Sequence, residues 1–341
     1  MMLTIAIPTF NRAAWLSRQL ERLSAQNDGR VSLLVSDNGS TDETAAVVRE
    51  FQGRMPNLAY SRNPRNLGFD GNVLRLYELS QSDYIWFLSD DDAVRPNAVK
   101  LVLELIARFA PTVAVLGAAA EEDSGAAPAD GSGEVEIFDA IDKVRDYSLF
   151  QRLIFLSTLL VKKSGAVPPE ALIELKGTNF IQVSLGMALL AGRFRLCLAD
   201  KVIVVEREPG YVTRTEVAEL WFLGPAKAMW LPQYGYDTQM IRALMRRSRR
   251  SFVSFLFAAK LGMFAINPSL SGENAARIGE LLGKRMLWFI RTVTAVYRLT
   301  PAFLLKPPYW IRCVMRFGLD AGRRRFHKAT SQSITDKVSG F

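Results

Sequence analysis

The chain has 341 residues and 49% apolar content, enough for one large α/β domain with an appendage. One histidine, His327, and two widely spaced cysteines, Cys197 and Cys313, exclude a His-based metal centre, a zinc ribbon and a secreted disulfide framework, so carboxylates must carry the chemistry. The net charge of +9 is uneven: residues 241–328 hold 18 Lys/Arg against 3 Asp/Glu, a local +15, which leaves −6 on residues 1–240.

The start, Met1 to Pro8, is too short and too poorly flanked for a signal peptide and reads as a strand, so a cytoplasmic protein is expected. No stretch reaches the roughly 18 uncharged apolar residues of a membrane span. Strands are expected at Leu3–Pro8, Val31–Ser36, Leu58–Arg62, Tyr84–Leu88 and Thr112–Leu116. Helices are expected at Arg12–Gln26, Thr41–Phe51 (capped by Ser40 or Thr41), Phe69–Ser80 and Pro96–Phe109. This alternation predicts an α/β fold with a mostly parallel central sheet.

The chemistry concentrates where strands end. Tyr84 to Leu88 is a continuous apolar run, as a central strand covered on both faces requires, and it stops at Asp90, Asp91 and Asp92. One acid would cap the helix that follows. Three adjacent carboxylates repel one another, and a divalent cation neutralises them economically. Asp37, at the end of the second strand, can accept the imide N–H of a uracil or thymine; as an Asp before Asn-Gly it equally suits a turn.

Four stretches in order, Ile-Pro-Thr-Phe-Asn-Arg (7–12), Val-Ser-Asp-Asn-Gly-Ser-Thr-Asp (35–42), Asn-Leu-Gly-Phe-Asp-Gly-Asn (66–72) and Leu-Ser-Asp-Asp-Asp (88–92) before Pro96, resemble glycosyltransferase family 2. The resemblance covers residues 2–117, weakens through about residue 210, and extends faintly to abequosyltransferases of O-antigen assembly. It implies a GT-A nucleotide-diphospho-sugar transferase fold, a UDP- or dTDP-type sugar donor and Mg²⁺ or Mn²⁺. Pro8, Thr9 and Asn11 would line the base pocket and Asp37 would hold the base. Asn66, Gly68 and Asn72 would flank the nucleotide or sugar. Family members commonly show Asp-x-Asp-Asp before the proline. Here either Asp90 and Asp92 form a literal DxD, or Asp91 and Asp92 act with Ser89; Asp92 faces the metal in both readings. Arg12 and Arg65 read as solvated charges.

Inverting members place an acid at the start of a helix in the acceptor half as general base. The matching helix, Asn179 to Ala191, begins Gly-Thr-Asn-Phe-Ile-Gln (177–182) with no acid, and the amide of Gln182 cannot serve. Asp146, Glu174, Asp200 and Glu206 are the candidates for the base, and none is assigned. The small, acidic stretch 121–134 reads as a loop, Arg152–Lys163 as an apolar run leading to the acceptor side, and Arg195–Leu198 and Val202–Val205 as two short strands.

The expected organisation is a nucleotide-sugar half (1–117), an acceptor half (118–215), a basic amphipathic helical module (216–328) and a tail (329–341). In the module Ile241, Leu244, Met245, Phe252, Phe255, Leu256 and Met263 recur at helical spacing, as do Arg277, Lys284, Arg291 and Arg298 every seven residues, with Trp288, Tyr297, Tyr309 and Trp310 nearby. Packing on the catalytic domain explains part of this. Attachment to an anionic membrane surface explains more, because a polyprenyl-diphosphate-linked glycan acceptor stays in the bilayer. The basic charge carries no nucleic-acid recognition motif, and nucleic acid is not expected as a partner. The expected function is sugar transfer to a lipid-linked or glycan acceptor in cell-surface polysaccharide synthesis, at the inner face of the cell membrane. A degenerate binding scaffold is the alternative. A nucleotidyltransferase lacks support because no Gly-rich basic loop follows the first strand.

Overall fold

A computed structural model of the chain describes residues 2–26, 28–120, 133–141, 153–163, 167, 178–206, 212–216, 218–231, 235–247, 249, 252–253, 256 and 265–299. Asp146, Glu174, most of the 121–134 loop, Phe255, Met263, Tyr309, Trp310, Cys313 and His327 lie outside them. Two compact units divide the chain: Met1–Glu208 with Gln233–Gly235, and Pro209–Pro232 with Tyr236–Phe341.

The first unit opens with the expected alternation: β1 (Leu3–Thr9), α1 (Ala13–Ser24), β2 (Val31–Asp37), α2 (Thr44–Gln52), β3 (Leu58–Arg62), α3 (Gly68–Leu79) and β4 (Tyr84–Phe87). The two-residue β5 (Ala93–Val94), α4 (Ala98–Phe109), β6 (Val113–Ala120), β7 (Val135–Phe138), β8 (Leu159–Lys162), α5 (Ile181–Gly192) and β9 (Leu196–Glu206) follow. The sheet runs β3-β2-β1-β4-β8-β6-β9-β5, with β7 also on β9. β3, β2, β1 and β4 pair in parallel, and β8 enters antiparallel between β4 and β6. Since β6 and β9 are parallel and β5 and β7 antiparallel to β9, six of these nine strands point one way. The sheet is mostly parallel, as the alternation predicted.

Packing explains the elements. Every residue of β4 is buried, with Trp86 fully covered and its indole Nε1–H donating to the Ser157 carbonyl at 2.8 Å. α1 buries Leu16, Leu20 and Leu23 on one stripe, each contributing roughly 1.5–3 kcal/mol. α5 is different: Ile181 to Leu190 are buried all round, which makes it a core helix without a polar face. Gly117 marks a register shift between β6 and β9, where a Cβ would lie 2.3 Å from the Lys201 carbonyl oxygen.

Three local expectations change. The N-cap position of α2 is Glu43, not Ser40 or Thr41, and it makes no side-chain cap bond; Asp42, one residue earlier, holds the helix start instead. Its Oδ1 accepts from the Thr44 amide at 3.1 Å, and its Oδ2 accepts from the Ala13 amide of α1 at 2.9 Å. The two short strands after α5 are one continuous β9, because the charged pair Asp200–Lys201 sits on an exposed or half-covered stretch without ending the strand. The strand expected within 152–163 is confined to β8, preceded by a 3₁₀ turn at Leu156–Thr158.

The second unit pairs β10 (Val212–Glu216) with β11 (Ala265–Asn267) in parallel. A π-helical turn at Glu219–Leu223 leads into α6 (Gly224–Met229), and α7 (Thr238–Arg247), α8 (Gly272–Leu282) and α9 (Lys284–Leu299) follow. Ile241, Met245, Phe252, Leu256, Ile278, Leu282, Met286 and Ile290 form its buried apolar side. Phe222 and Phe252 meet edge-to-face at 4.7 Å. Gly283 divides the heptad-spaced basic run into α8 and α9, and the Arg242 guanidinium donates to the carbonyls of Glu280 and Leu281 at the end of α8. Among the described residues no helix is long and apolar enough to cross a membrane.

Candidate active site

The C-terminal ends of β1, β2 and β4 lie side by side, which brings three of the four sequence stretches to one edge of the sheet. Pro8 lies past the last β1–β4 pair, Ala6 opposite Phe87, where a residue without an amide hydrogen is tolerated. Thr9 is buried and its hydroxyl donates to Asp90 Oδ2 at 2.7 Å. Asn11 has φ +53°, a left-handed conformation that Asn tolerates better than most residues. Its Oδ1 accepts from the Thr41 amide at 2.7 Å and its own amide donates to Ser40 Oγ at 2.9 Å, which stitches the β1 loop to the β2 loop.

Asp37 is fully buried. Its Oδ1 accepts from the Ser40 amide at 2.8 Å, the turn role, and its Oδ2 accepts from the Tyr60 hydroxyl at 2.6 Å, with Arg62 Nε 3.6 Å away. Burial and this carboxylate push the Tyr60 phenol well above its ordinary pKa. Tyr60 therefore stays a donor.

Asn66, Gly68 and Asn72 belong to an amide network. Asn66 Oδ1 accepts from Asn38 Nδ2 and from the Gly68 amide, both at 2.8 Å; Asn38 Oδ1 accepts from the Leu67 amide at 2.9 Å and Asn63 Nδ2 at 3.1 Å. Asn72, buried, accepts from Ser36 Oγ at 2.7 Å and Asn63 Nδ2 at 3.0 Å. Asn72 thus fixes the loop from behind. Gly68 starts α3 at φ +74°, a left-handed conformation that by itself requires glycine, and no protein atom lies within 4 Å of where its Cβ would be.

The three acids diverge in environment. Asp90 is 3% exposed, and burial raises its pKa to about 6 against the opposing Thr9 hydrogen bond and the Arg12 charge. Asp91 is partly exposed and accepts from Ser89 Oγ at 2.5 Å. Asp92, expected to face a metal, is buried and accepts from Ser157 Oγ, whose oxygen also takes the Ser89 amide at 2.9 Å. Arg12, read from sequence as solvated, donates from one nitrogen, Nη1, to Asp90 Oδ1 at 3.1 Å and Asp91 Oδ2 at 2.5 Å. A cationic nitrogen shared by two carboxylates marks a point where oxygens converge, so the residues fit a hard divalent cation. Among the described residues no three Asp, Glu, His or Cys side chains form a group that could hold a metal ion, so at most two protein carboxylates meet at this point. A cation here would keep positions open for phosphate and water.

The start of α5 holds an acid after all, delivered from another element. Asp70 of α3 is buried; its Oδ2 accepts from the amides of Thr178 and Asn179 at 2.9 and 3.0 Å, and its Oδ1 from Ile181 at 3.3 Å. Asn179 has φ +59°. Gln182 is buried, its Nε2 donating to the Ile154 carbonyl at 2.7 Å while its Oε1 has no partner. Asp200 is exposed on β9. Asp70 and Arg12 are the residues the sequence reading missed. Asp70's position inside Asn-Leu-Gly-Phe-Asp-Gly-Asn was its signal.

A mostly parallel sheet with acids and amides gathered at its C-terminal edge defines a GT-A transferase fold. Staphylococcus aureus TarS 1–349, solved in complex with UDP-GlcNAc, shares this fold with a TM-score of 0.58 over 98% of this chain and 92% of that one, at 14% identity. Residues 4–152 match the model of glycosyl transferase family 2. Abequosyltransferase RfbV of Salmonella typhimurium is 31% identical over 106 residues, 30% of this chain and 32% of that protein. The GalNAc(5)-diNAcBac-PP-undecaprenol beta-1,3-glucosyltransferase of Campylobacter jejuni is 27% identical over 103 residues, 30% of this chain and 33% of that one. The matched segment spans about a third of the length of these relatives.

Proposed function

We propose that the protein transfers a sugar from a UDP- or dTDP-type sugar donor to a lipid-linked or glycan acceptor, in cell-surface polysaccharide assembly of O-antigen or capsule type. The observation that carries this reading is the gathering of Thr9, Asn11, Asp37 and Asp90–Asp92 at one sheet edge, where open α/β sheets bind ligands. The names of the relatives, which include a glucosyltransferase named for an undecaprenol-linked glycan, support the acceptor class.

In this reading Pro8, Thr9 and Asn11 line the base pocket. Asp37 accepts the base imide N–H with the lone pairs that Ser40 and Tyr60 leave over. Asn38, Asn63 and Asn72 hold the Asn66–Gly68 wall in place. Asp92, with Asp90 or Asp91 as the second carboxylate, would hold Mg²⁺ or Mn²⁺, which when bound supplies positive charge against the diphosphate leaving group. A single displacement inverts the anomeric centre; no base is assigned, because Gln182 stands at the start of α5.

Gln182 is also the observation that favours the second reading, a non-catalytic glycan- or lipid-binding scaffold. The working place is the cytoplasmic face of the inner membrane, with α9 as the contact. That helix carries Lys284, Arg285, Arg291 and Arg298 and no acid, and exposes Trp288 (68%), Val296 (50%) and Leu299 (82%).

Thermal unfolding with UDP, dTDP, GDP or CMP, each with and without Mn²⁺, tests the donor reading. Manganese-dependent stabilisation by UDP or dTDP is expected. No shift with any nucleotide moves the assignment to the scaffold, which Asp92→Asn would leave functional.

A further inference from the structure

Arg12 occupies an unusual station. Its backbone carbonyl accepts from the Trp15 and Leu16 amides at 3.0 Å, so the backbone is fixed as the first turn of α1 begins. Its side chain crosses to the acids and is 47% exposed, whereas the Asp90 side chain beneath it is 3% exposed. The guanidinium therefore covers a buried carboxylate from the solvent side. Both contacts use Nη1 alone. The remaining donors of the fork point to no carboxylate of this cluster.

With Asp90, Asp91 and Asp92 ionised, one guanidinium leaves the cluster two negative charges in excess. A divalent cation at the same point matches it better, because hard carboxylate oxygens bind a compact dication in preference to a delocalised monocation. Leaving requires only side-chain rotation about Arg12. A released guanidinium fork beside that cluster suits two phosphate oxygens, which it binds bidentately.

We propose that Arg12 is a placeholder cation: it holds Asp90 and Asp91 together in the free protein, yields that place to a divalent metal, and then pairs with the donor diphosphate. The metal half stands on the Asp90–Arg12–Asp91 geometry. The diphosphate half rests on the donor reading above.

The test titrates Mn²⁺ alone into the full-length protein, following free Mn²⁺ by electron paramagnetic resonance, and then titrates UDP or dTDP at saturating Mn²⁺. Arg12→Gln is expected to bind Mn²⁺ about tenfold more tightly and the nucleotide about tenfold more weakly, the scale of ordinary coupling between sites. Opposite signs distinguish exchange from a structural role, which would weaken both. Arg12→Lys, which keeps the charge and the loop, is expected between wild type and Arg12→Gln in both titrations. Unchanged or weaker Mn²⁺ binding by Arg12→Gln, with a wild-type melting profile, overturns the proposal; should that variant not fold, wild-type Mn²⁺ affinity in Arg12→Lys does so. If no nucleotide binds wild type, the donor reading fails while the Mn²⁺ titration still decides the exchange.

Discussion

Asp70 Oδ2 accepts the backbone amide hydrogen of Thr178 at 2.9 Å, across 108 residues of sequence. The same carboxylate takes the Asn179 and Ile181 amides, so it serves three donors at the start of a fully buried helix. Amides at a helix start have no carbonyl partner within their own helix, and the Asp70 carboxylate supplies acceptors for them. Asp70→Ala is expected to destabilise the protein by about 1–3 kcal/mol, and Asp70→Asn, which keeps one acceptor oxygen, by less. Urea unfolding midpoints measure this. A change within about 0.5 kcal/mol for the alanine variant, the size of an ordinary surface substitution, contradicts the role.

Asp42 joins two helix starts, and its effect depends on pH. Burial would raise its pKa, but hydrogen bonds from Thr44 Oγ1 and from the Ala13 and Thr44 amides outweigh burial and lower it. A carboxyl group whose folded pKa is depressed stabilises the fold above its unfolded value, and that contribution is lost as pH falls through the folded one. Asp42→Ala is expected to cost about 1–2 kcal/mol at pH 7 and nothing further at the acid end, where wild type has already lost the bond. Parallel melting curves at neutral and acid pH check both halves.

Asp90 has the opposite sign. With its pKa raised to about 6, the folded protein retains a proton that the unfolded chain has released. Stability of the metal-free protein should therefore fall as pH rises from about 4 to about 6, and level off above. Asp90→Asn removes that slope. A slope of equal size in the variant would assign the dependence elsewhere.

Vesicle sedimentation tests α9. The protein is expected to pellet with vesicles rich in phosphatidylglycerol and to stay in solution with phosphatidylcholine alone, with binding that weakens as salt is raised. Arg285→Gln together with Arg291→Gln should lower partitioning about thirtyfold, at about 1 kcal/mol per cation. Equal pelleting with both vesicle types would remove the anionic surface as partner.

Local rules made much of the nucleotide half legible. β3 was read with its observed limits, and β4 was recognised because a central strand needs apolar residues on both faces. β5 has two residues, too few for any period, and β9 carries Asp200–Lys201 in mid-strand, which imitates a break. At the site, sequence shows which side chains a loop offers and not which distant group meets them. Asp70 looked like one more residue of a glycine-rich loop, since its partners lie more than 100 residues away. Arg12 looked solvated because its charge is answered by acids 78 and 79 residues further on. Asp42 was passed over as the residue that holds the start of α2 because Ser40 and Thr41 stand nearby with comparable capping preference.

The side-chain amides of Asn38, Asn63, Asn66 and Asn72 hold the loop before α3 without a single ionisable member. Amides neither gain nor lose protons across the range in which proteins stay folded, and neutral hydrogen bonds are little affected by ionic strength. The loop wall should thus keep one shape in acid, in alkali and in brine, while the neighbouring arginine–carboxylate cluster responds to each. Acidity and salt would then act on the carboxylates of the cleft, Asp37, Asp42 and the Arg12 cluster, and leave this amide wall as it is, so that a drop in nucleotide affinity on acidification reports those carboxylates and not a change in the wall.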